Sequence, residues 1–184
     1  MDRINTPHDR YSSVAIALHW IMAVLIIGNW FIPILTEEMP QDVHRAAMGW
    51  HTAIGITVLL LAVVRIAWRI VHPRPPLEPG VRPWERALAK TTYTLFYILI
   101  VAIPVAGWIM VSAGNEGIAA NIFGILVPTL PIANESAGGV AHEMHEILAF
   151  FLAGLVVLHV AGALKHHFVD SDGTLARMVP FLRR

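Results

Sequence analysis

The sequence contains no cysteine. Without thiolates it cannot ligate an iron–sulfur cluster, and it lacks the C-x-x-C-H pattern that attaches haem covalently. Charged residues are also scarce, at 14% of the 184 residues, against roughly 25% in an average soluble domain. Hydrophobic residues make up 56% of the chain. This composition is typical of a membrane protein, and the length predicts a single domain over residues 1–184.

Four apolar segments are long enough to cross a bilayer, since a spanning helix needs about 20 mostly apolar residues. They are Ala15 to Leu35, Gly49 to Trp68, Thr94 to Val111 and His145 to Leu164. The predicted fold is therefore an all-α membrane protein, a bundle of four transmembrane helices. We expect the first segment to remain as an anchor, because its long apolar run ends without the small-residue cleavage site of a signal peptide.

The segment between the third and fourth apolar runs, residues 112–139, is rich in Gly, Pro and Asn. It also contains an apolar run from Ile122 to Leu130. We expect this segment to lie at the membrane surface as a short interfacial helix, broken near Pro128 and Pro131 because proline interrupts helical hydrogen bonding.

Lys and Arg are unevenly distributed among the connections. One set of segments contains Arg3, Arg10, Arg65, Arg69, Arg74, Arg82, Arg86, Lys90, Lys165, Arg177, Arg183 and Arg184. The first connection has only Arg45, and the third has neither Lys nor Arg. Because basic residues of short loops stay in the cytoplasm, both termini are predicted to be cytoplasmic. Topology and membrane lipid explain the basic face, so no nucleic acid partner is expected.

Four histidines lie inside the apolar segments or at their rims: His19, His51, His145 and His159. An ionisable side chain at membrane depth is costly and by default marks a functional site. In the predicted topology, His19 and His159 lie near the cytoplasmic side, and the other two lie near the outer side. The 14 residues from His145 to His159 span about 21 Å and almost four helical turns, so both side chains point the same way.

This arrangement predicts two noncovalent b-type haems with histidine on both faces of each iron, paired as His19 with His159 and His51 with His145. Small residues beside these positions would leave room for a flat porphyrin: Gly55, Gly154 and Gly162. Two alternatives remain open. The histidines could be core residues that are merely hydrogen-bonded, or they could form a proton relay, which requires them to titrate near neutral pH.

Basic residues near the segment ends are candidates to bind the haem propionates. Arg65 interrupts the second segment close to its end and is the first choice for the cytoplasmic haem, with Arg69 and Lys165 as second choices. The alternative for Arg65 is snorkelling to lipid phosphate. His44 and Arg45 form a small positive spot at the outer rim. They could contact a propionate, attract an anion or simply be solvated.

His142, Glu143 and His145 read H-E-x-H. A zinc metalloprotease helix needs H-E-x-x-H, with its histidines four residues apart, so this spacing argues against zinc hydrolysis. His142 could replace His145 as a haem ligand if the helix were shifted by one turn. We expect His145 to be the ligand because it pairs with His51.

Several short motifs occur in a specific order and spacing. They are I-A-L-H-W at 16–20, W-H-T-A-I-G at 50–55, V-V-R-I-A-W-R at 63–69, H-E-I-L at 145–148, L-H at 158–159, A-L-K-H-H-F at 163–168 and D-G-T-L-A-R-M at 172–178. With these motifs the chain resembles the bacterial cytochrome b561 family over almost its whole length. Met144 departs from the pattern, which has an aromatic residue before the ligand histidine, but this affects packing rather than ligation.

The resemblance implies a multi-pass protein of the bacterial cytoplasmic (inner) membrane that contains two haem b groups and passes electrons to quinone. His19, His51, His145 and His159 match the family's haem-ligand positions. One branch resembles superoxide oxidases, which implies a superoxide:ubiquinone oxidoreductase with ubiquinone as electron acceptor. The alternative is a cytochrome b subunit that relays electrons for a separate dehydrogenase or other redox partner protein and has no catalysis of its own.

Overall fold

A computed structural model describes residues 11–73, 75–76, 80–114, 118–122, 124–131 and 134–182. Its four long helices are α1 Ser13–Thr36, α2 Gln41–Val71, α3 Pro83–Gly114 and α4 Glu135–Phe168. All four are long and apolar enough to cross a membrane, which confirms the predicted membrane helical bundle. Some basic residues used to predict the orientation lie outside the described residues: Arg3, Arg10, Arg74, Arg183 and Arg184.

Helices α2, α3 and α4 extend well beyond the apolar runs that predicted them, whereas α1 nearly coincides with its run. Helix α2 begins at Gln41 rather than Gly49, and α4 begins at Glu135 rather than His145. The Asn134 side chain caps α4 by accepting a hydrogen bond of 2.9 Å from the backbone N–H of Ala137. Hydropathy marks only the part of a helix that meets hydrocarbon, whereas backbone hydrogen bonding continues into the polar interface.

The predicted interfacial helix between α3 and α4 is wrong, because this segment forms a β-hairpin. Strands β1 Ile118–Ile122 and β2 Ile125–Pro128 pair antiparallel, with Ile122 opposite Ile125. Gly124 has a φ of +93°, and its N–H donates 2.8 Å to the Asn121 side-chain oxygen. A glycine in this left-handed region allows a two-residue turn, which brings the β-branched residues on either side into register.

Helix α4 packs along α3, α1 packs on α2, and α2 joins the two pairs by packing on α3. Buried side chains form two small clusters between the helices. One lies between α1, α2 and α3 and contains Met22, Val58, Ala62 and Ile100. The other lies between α3 and α4 and contains Leu99, Ile103, Leu152 and Leu155. Helices α3 and α4 lie close together at Gly138, where an added β-carbon would lie 2.5 Å from that of Ala113. Helix α4 therefore stays tight against α3.

Contacts between distant parts of the chain distinguish the two ends of the bundle. The indole N–H of Trp20, early in α1, donates 2.8 Å to the carbonyl of Met178. Arg177 donates to the carbonyl of Pro76 in the connection between α2 and α3. We call this end the terminus side, and the opposite end, which carries the β-hairpin, the hairpin side.

Candidate metal centre

The four histidines meet in two pairs, each formed across the bundle by α4 and another helix. His51 of α2 faces His145 of α4, with ring centroids 5.9 Å apart and ring planes at 73°. His19 of α1 faces His159 of α4, at 6.2 Å and 76°. The first is the hairpin-side pair and the second is the terminus-side pair. The pairing is the one expected from the sequence.

The ring spacing can be compared with what a metal between two imidazoles requires. A metal–imidazole bond is about 2 Å long and a ring nitrogen lies roughly 1 Å from its ring centre, so two collinear ligands have centroids about 6 Å apart. Both pairs have this separation. A T-shaped contact between aromatic rings covers a similar range, so the direction of each ring nitrogen also matters.

In the hairpin-side pair, backbone carbonyls orient both rings. His51 Nδ1 lies 3.1 Å from the carbonyl oxygen of Asn29, and His145 Nδ1 lies 2.9 Å from that of Ile103. A carbonyl oxygen only accepts hydrogen bonds, so each Nδ1 must carry the hydrogen and each Nε2 keeps its lone pair. Metal-ligating histidines commonly have this type of partner.

Space for a flat group lies beside the hairpin-side pair. A cavity of about 190 Å³ is lined by both rings together with Gly55, Gly107 and apolar side chains. A β-carbon at Gly55 would meet no described atom within 4 Å, whereas one at Gly107 would lie 3.1 Å from His145 Cε1. Gly55 therefore leaves space in the cavity, and Gly107 leaves space for the His145 ring.

The terminus-side pair is held by ring packing and lies near a positive charge. Phe96 packs edge-on against His159 at 5.3 Å, and Trp20 packs against His19 at the same distance. Among the described residues, no hydrogen bond reaches either imidazole of this pair. Arg65 of α2 is half-buried, and its charge interacts with both rings.

Three basic residues near this end are candidates to bind a haem propionate, and two of them have other partners. Arg69 lies over the Tyr11 ring, 5.9 Å from its centroid. The Lys165 ammonium forms ion pairs of 2.7 Å with Glu85 and with Asp170. Arg65 has no ion pair within the described ranges.

The other candidate histidines lie away from the pairs. His44 Nδ1 lies 3.0 Å from the Thr36 hydroxyl and 3.1 Å from the Thr36 carbonyl, so this ring ties the start of α2 to the end of α1. His142 is exposed, and its Nδ1 lies 3.1 Å from Met110 Sδ. His145, not His142, faces His51. No zinc-type cluster involves His142 in the part of the chain that the structure describes.

One polar cluster was not predicted from the sequence. His166 Nδ1 lies 2.7 Å from Asp172 and 3.1 Å from Asp170, where the chain reverses after α4 through Ser171 at a φ of +52°. Burial alone would raise the pKa of Asp172, but hydrogen bonds from Thr174 and His166 outweigh it and lower this pKa below its usual value. The spacing H-H-x-x-D-x-D at 166–172 is the feature of the sequence that could indicate this cluster. The contact of His166 with the two carboxylates nevertheless requires the chain reversal at Ser171.

Known proteins are similar to this chain over almost its whole length. The family model described as prokaryotic cytochrome b561 matches residues 10–181. The chain is 31% identical to cytochrome b561 homolog 2 of Escherichia coli over 97% of this chain and 95% of that protein. It is 32% identical to a probable superoxide oxidase, CybB, of Yersinia pestis over 94% of this chain and 97% of that protein. Cytochrome b562 of Cereibacter sphaeroides is 27% identical, with 95% and 98% covered. The chain therefore belongs to the prokaryotic cytochrome b561 family.

Proposed function

We propose that this chain is a dihaem membrane cytochrome that carries electrons across the bilayer to ubiquinone. Membership of the cytochrome b561 family implies a bacterial multi-pass membrane protein that binds haem b. The further step to two haems is supported by one observation. Two separate histidine pairs have the same spacing of about 6 Å that an iron between two imidazoles requires.

Each histidine would bind the haem iron, His51 and His145 through Nε2 because their Nδ1 atoms donate to backbone carbonyls. When bound, haem iron supplies one-electron transfer by cycling between its ferric and ferrous forms. His145 and His159 are separated by 14 residues of the continuous helix α4, or about 21 Å along its axis. The two sites therefore lie at different depths of the membrane and could pass an electron from one side to the other.

Arg65 would bind a propionate of the terminus-side haem. Its guanidinium is half-buried in an apolar helix without a carboxylate partner among the described residues, a situation that is costly for a charge at membrane depth. A propionate would provide a charge-assisted hydrogen bond at this point. Snorkelling to lipid phosphate remains the competing role.

The orientation we propose places both termini and the terminus-side pair in the cytoplasmic half of the inner membrane. Electrons would then enter at the hairpin side, which faces outward. With superoxide as donor, two superoxide anions each lose one electron and leave as O₂. One ubiquinone takes both electrons and two protons to become ubiquinol. One relative is named a probable superoxide oxidase, and this similarity supports the donor.

Superoxide is an anion, and positive potential near the entry point would speed its arrival. Arg45 lies exposed in the first turns of α2 on the hairpin side and would provide that charge. Nearby exposed carboxylates oppose it: Glu37, Glu38, Asp42, Glu143 and Glu146. This acidic surface specifically favours a second function, in which a basic redox protein docks there and the chain only relays electrons.

A stopped-flow experiment on the purified dihaem protein separates the two functions. Superoxide should reduce the haems, and ubiquinone should reoxidise them. Arg45→Glu should slow the reduction by roughly tenfold through lost steering, whereas Arg86→Glu, the same charge change at an exposed position of the opposite end, should not. If superoxide reduces the protein no faster than it reduces an unrelated b-type haem protein, the relay function takes the place of the oxidase.

A further inference from the structure

The hairpin-side pair has a polar neighbour within the apolar stretch of α1. Asn29 of α1 is joined to His51 of α2 by two hydrogen bonds in opposite directions. The ring Nδ1–H of His51 donates 3.1 Å to the Asn29 carbonyl, and the Asn29 side-chain amide donates 3.2 Å to the His51 carbonyl. The reciprocal contact holds the ligand ring and its backbone together.

The side-chain oxygen of Asn29, unlike the side-chain nitrogen, has no hydrogen-bond partner among the described residues. Only the amide nitrogen can donate to the His51 carbonyl, so the two ends of the Asn29 side chain cannot be exchanged. Its Oδ1 is buried and has no hydrogen-bond partner within the described residues. Asn29 also lines the cavity beside the two rings. A buried acceptor without a donor is destabilising, so its presence at this point needs a reason.

The positive charge of a haem in this cavity would give a reason for the unpaired oxygen of Asn29. Ferric iron between two neutral imidazoles in a porphyrin gives the haem core one more positive charge than ferrous iron does. The negative end of a buried amide dipole stabilises that charge, and it does so more strongly at low local dielectric. The His51 Nδ1–H bond acts in the same direction, because donation to a carbonyl makes the imidazole a stronger ligand.

We propose that Asn29 is a positioning residue for the hairpin-side haem, which fixes the orientation of His51 and lowers the reduction potential of that haem through Oδ1. The inference rests on the proposed function only in that this haem must be present. Asn29 does not ligate iron and has no equivalent at the terminus-side pair, where no hydrogen bond reaches either ring among the described residues. Its effect should therefore be confined to one of the two haems.

The test is a redox titration with electron paramagnetic resonance of the oxidised protein. Asn29→Leu has a similar volume and keeps the backbone carbonyl that binds His51, but it removes both polar side-chain atoms. It should raise the midpoint potential of the hairpin-side haem, leave the other haem unchanged and shift the low-spin signal of the first, since the His51 ring is less constrained. Asn29→Asp, which leaves an acidic group at the same place, should lower that potential.

Thr57→Val is the matched control. Thr57 lies on the same helix as His51 but does not line the cavity, and its hydroxyl donates 2.8 Å to the Ala53 carbonyl of its own helix, so its removal should move neither potential. Equal potentials in Asn29→Leu and wild type, a parallel shift of both haems, or a rise in Asn29→Asp would overturn the inference. If Asn29→Leu does not fold, the midpoint potential of the hairpin-side haem in Asn29→Asp tests the proposal: a lower potential supports it, and an unchanged or higher potential overturns it. A wild-type protein lacking the hairpin-side haem would instead contradict the proposed function.

Discussion

The hairpin-side and terminus-side pairs consist of the same side chains at nearly the same spacing, but their surroundings differ. Backbone carbonyls accept from Nδ1 of both hairpin-side rings, at 3.1 and 2.9 Å. The terminus-side rings have aromatic neighbours and the charge of Arg65 instead. Hydrogen-bonded imidazoles are the stronger electron donors and favour ferric iron, whereas a nearby cation favours the less positive ferrous state.

The surroundings of the two pairs, rather than the histidines themselves, would therefore determine which haem has the lower reduction potential. The hairpin-side haem is expected to have the lower potential and the terminus-side haem the higher one. An electron that enters at the hairpin side would then move downhill toward the terminus side. This is the direction required for an outer donor and an acceptor on the cytoplasmic side.

The largest expected effect is the loss of one haem when one ligand is removed. His159→Ala and His19→Ala should each lose the terminus-side haem, and His51→Ala and His145→Ala should each lose the other, because an imidazole is missing from one face of the iron. Haem content and the remaining midpoint potential identify the site that survives. If His19→Ala and His51→Ala lose the same haem, the two pairs are not independent sites.

The second largest effect is expected from the positive charge of Arg65 on the potential of the terminus-side haem. Arg65→Met should lower the potential of the terminus-side haem by tens of millivolts, where about 59 mV corresponds to a tenfold change for one electron, and should leave the hairpin-side haem unchanged. Redox titration measures both. Arg69→Met is the control, because Arg69 lies over Tyr11. An unchanged titration in a folded Arg65→Met protein would assign Arg65 to lipid phosphate.

A steric change should then weaken only the hairpin-side site. In Gly107→Ala the new methyl group would lie 3.1 Å from His145 Cε1, and the ring cannot move without straining its 2.9 Å hydrogen bond to Ile103. We expect partial loss of the hairpin-side haem, on the order of 1 kcal/mol in binding, as is typical for overpacking. Gly28→Ala, where a β-carbon meets no described atom within 4 Å, should retain both haems.

The smallest effect concerns the polar cluster beyond the terminus-side pair. The lowered pKa of Asp172 means that its ionised form stabilises the fold above the pKa of the unfolded chain, near 3.9, and that this contribution disappears as pH falls through the lower folded value. Asp172→Asn should therefore lower Tm by about 1–3 °C at pH 7, with the difference vanishing in acid. Glu38→Gln, at an exposed position, should show no such pH-dependent difference.

The two histidine pairs could be expected from the sequence because hydropathy and the helical period together determine where these residues lie. Hydropathy places His19 and His51 at known depths of separate helices, and the 14-residue spacing of His145 and His159 places both on one face of α4. These features need no knowledge of loops or side-chain packing. The helix ends were less predictable, because polar turns such as 41–48 remain helical outside the apolar run.

The features missed from the sequence depend on contacts between distant segments. The apolar run 122–130 does not distinguish a helix from a hairpin by composition, and the turn at Gly124 decides in favour of the hairpin. The two bonds between Asn29 and His51 require the packing of α1 on α2. The contact of His166 with Asp172 requires the reversal at Ser171.

If each histidine pair holds one haem, the purified protein contains two. A pyridine haemochrome assay, with protein concentration from amino-acid analysis, measures this ratio. We expect about two b-type haems per chain, both low spin in the oxidised and reduced states because each iron would have two imidazole ligands. A ratio of one haem per chain or fewer, in a preparation supplied with excess haem, would contradict it.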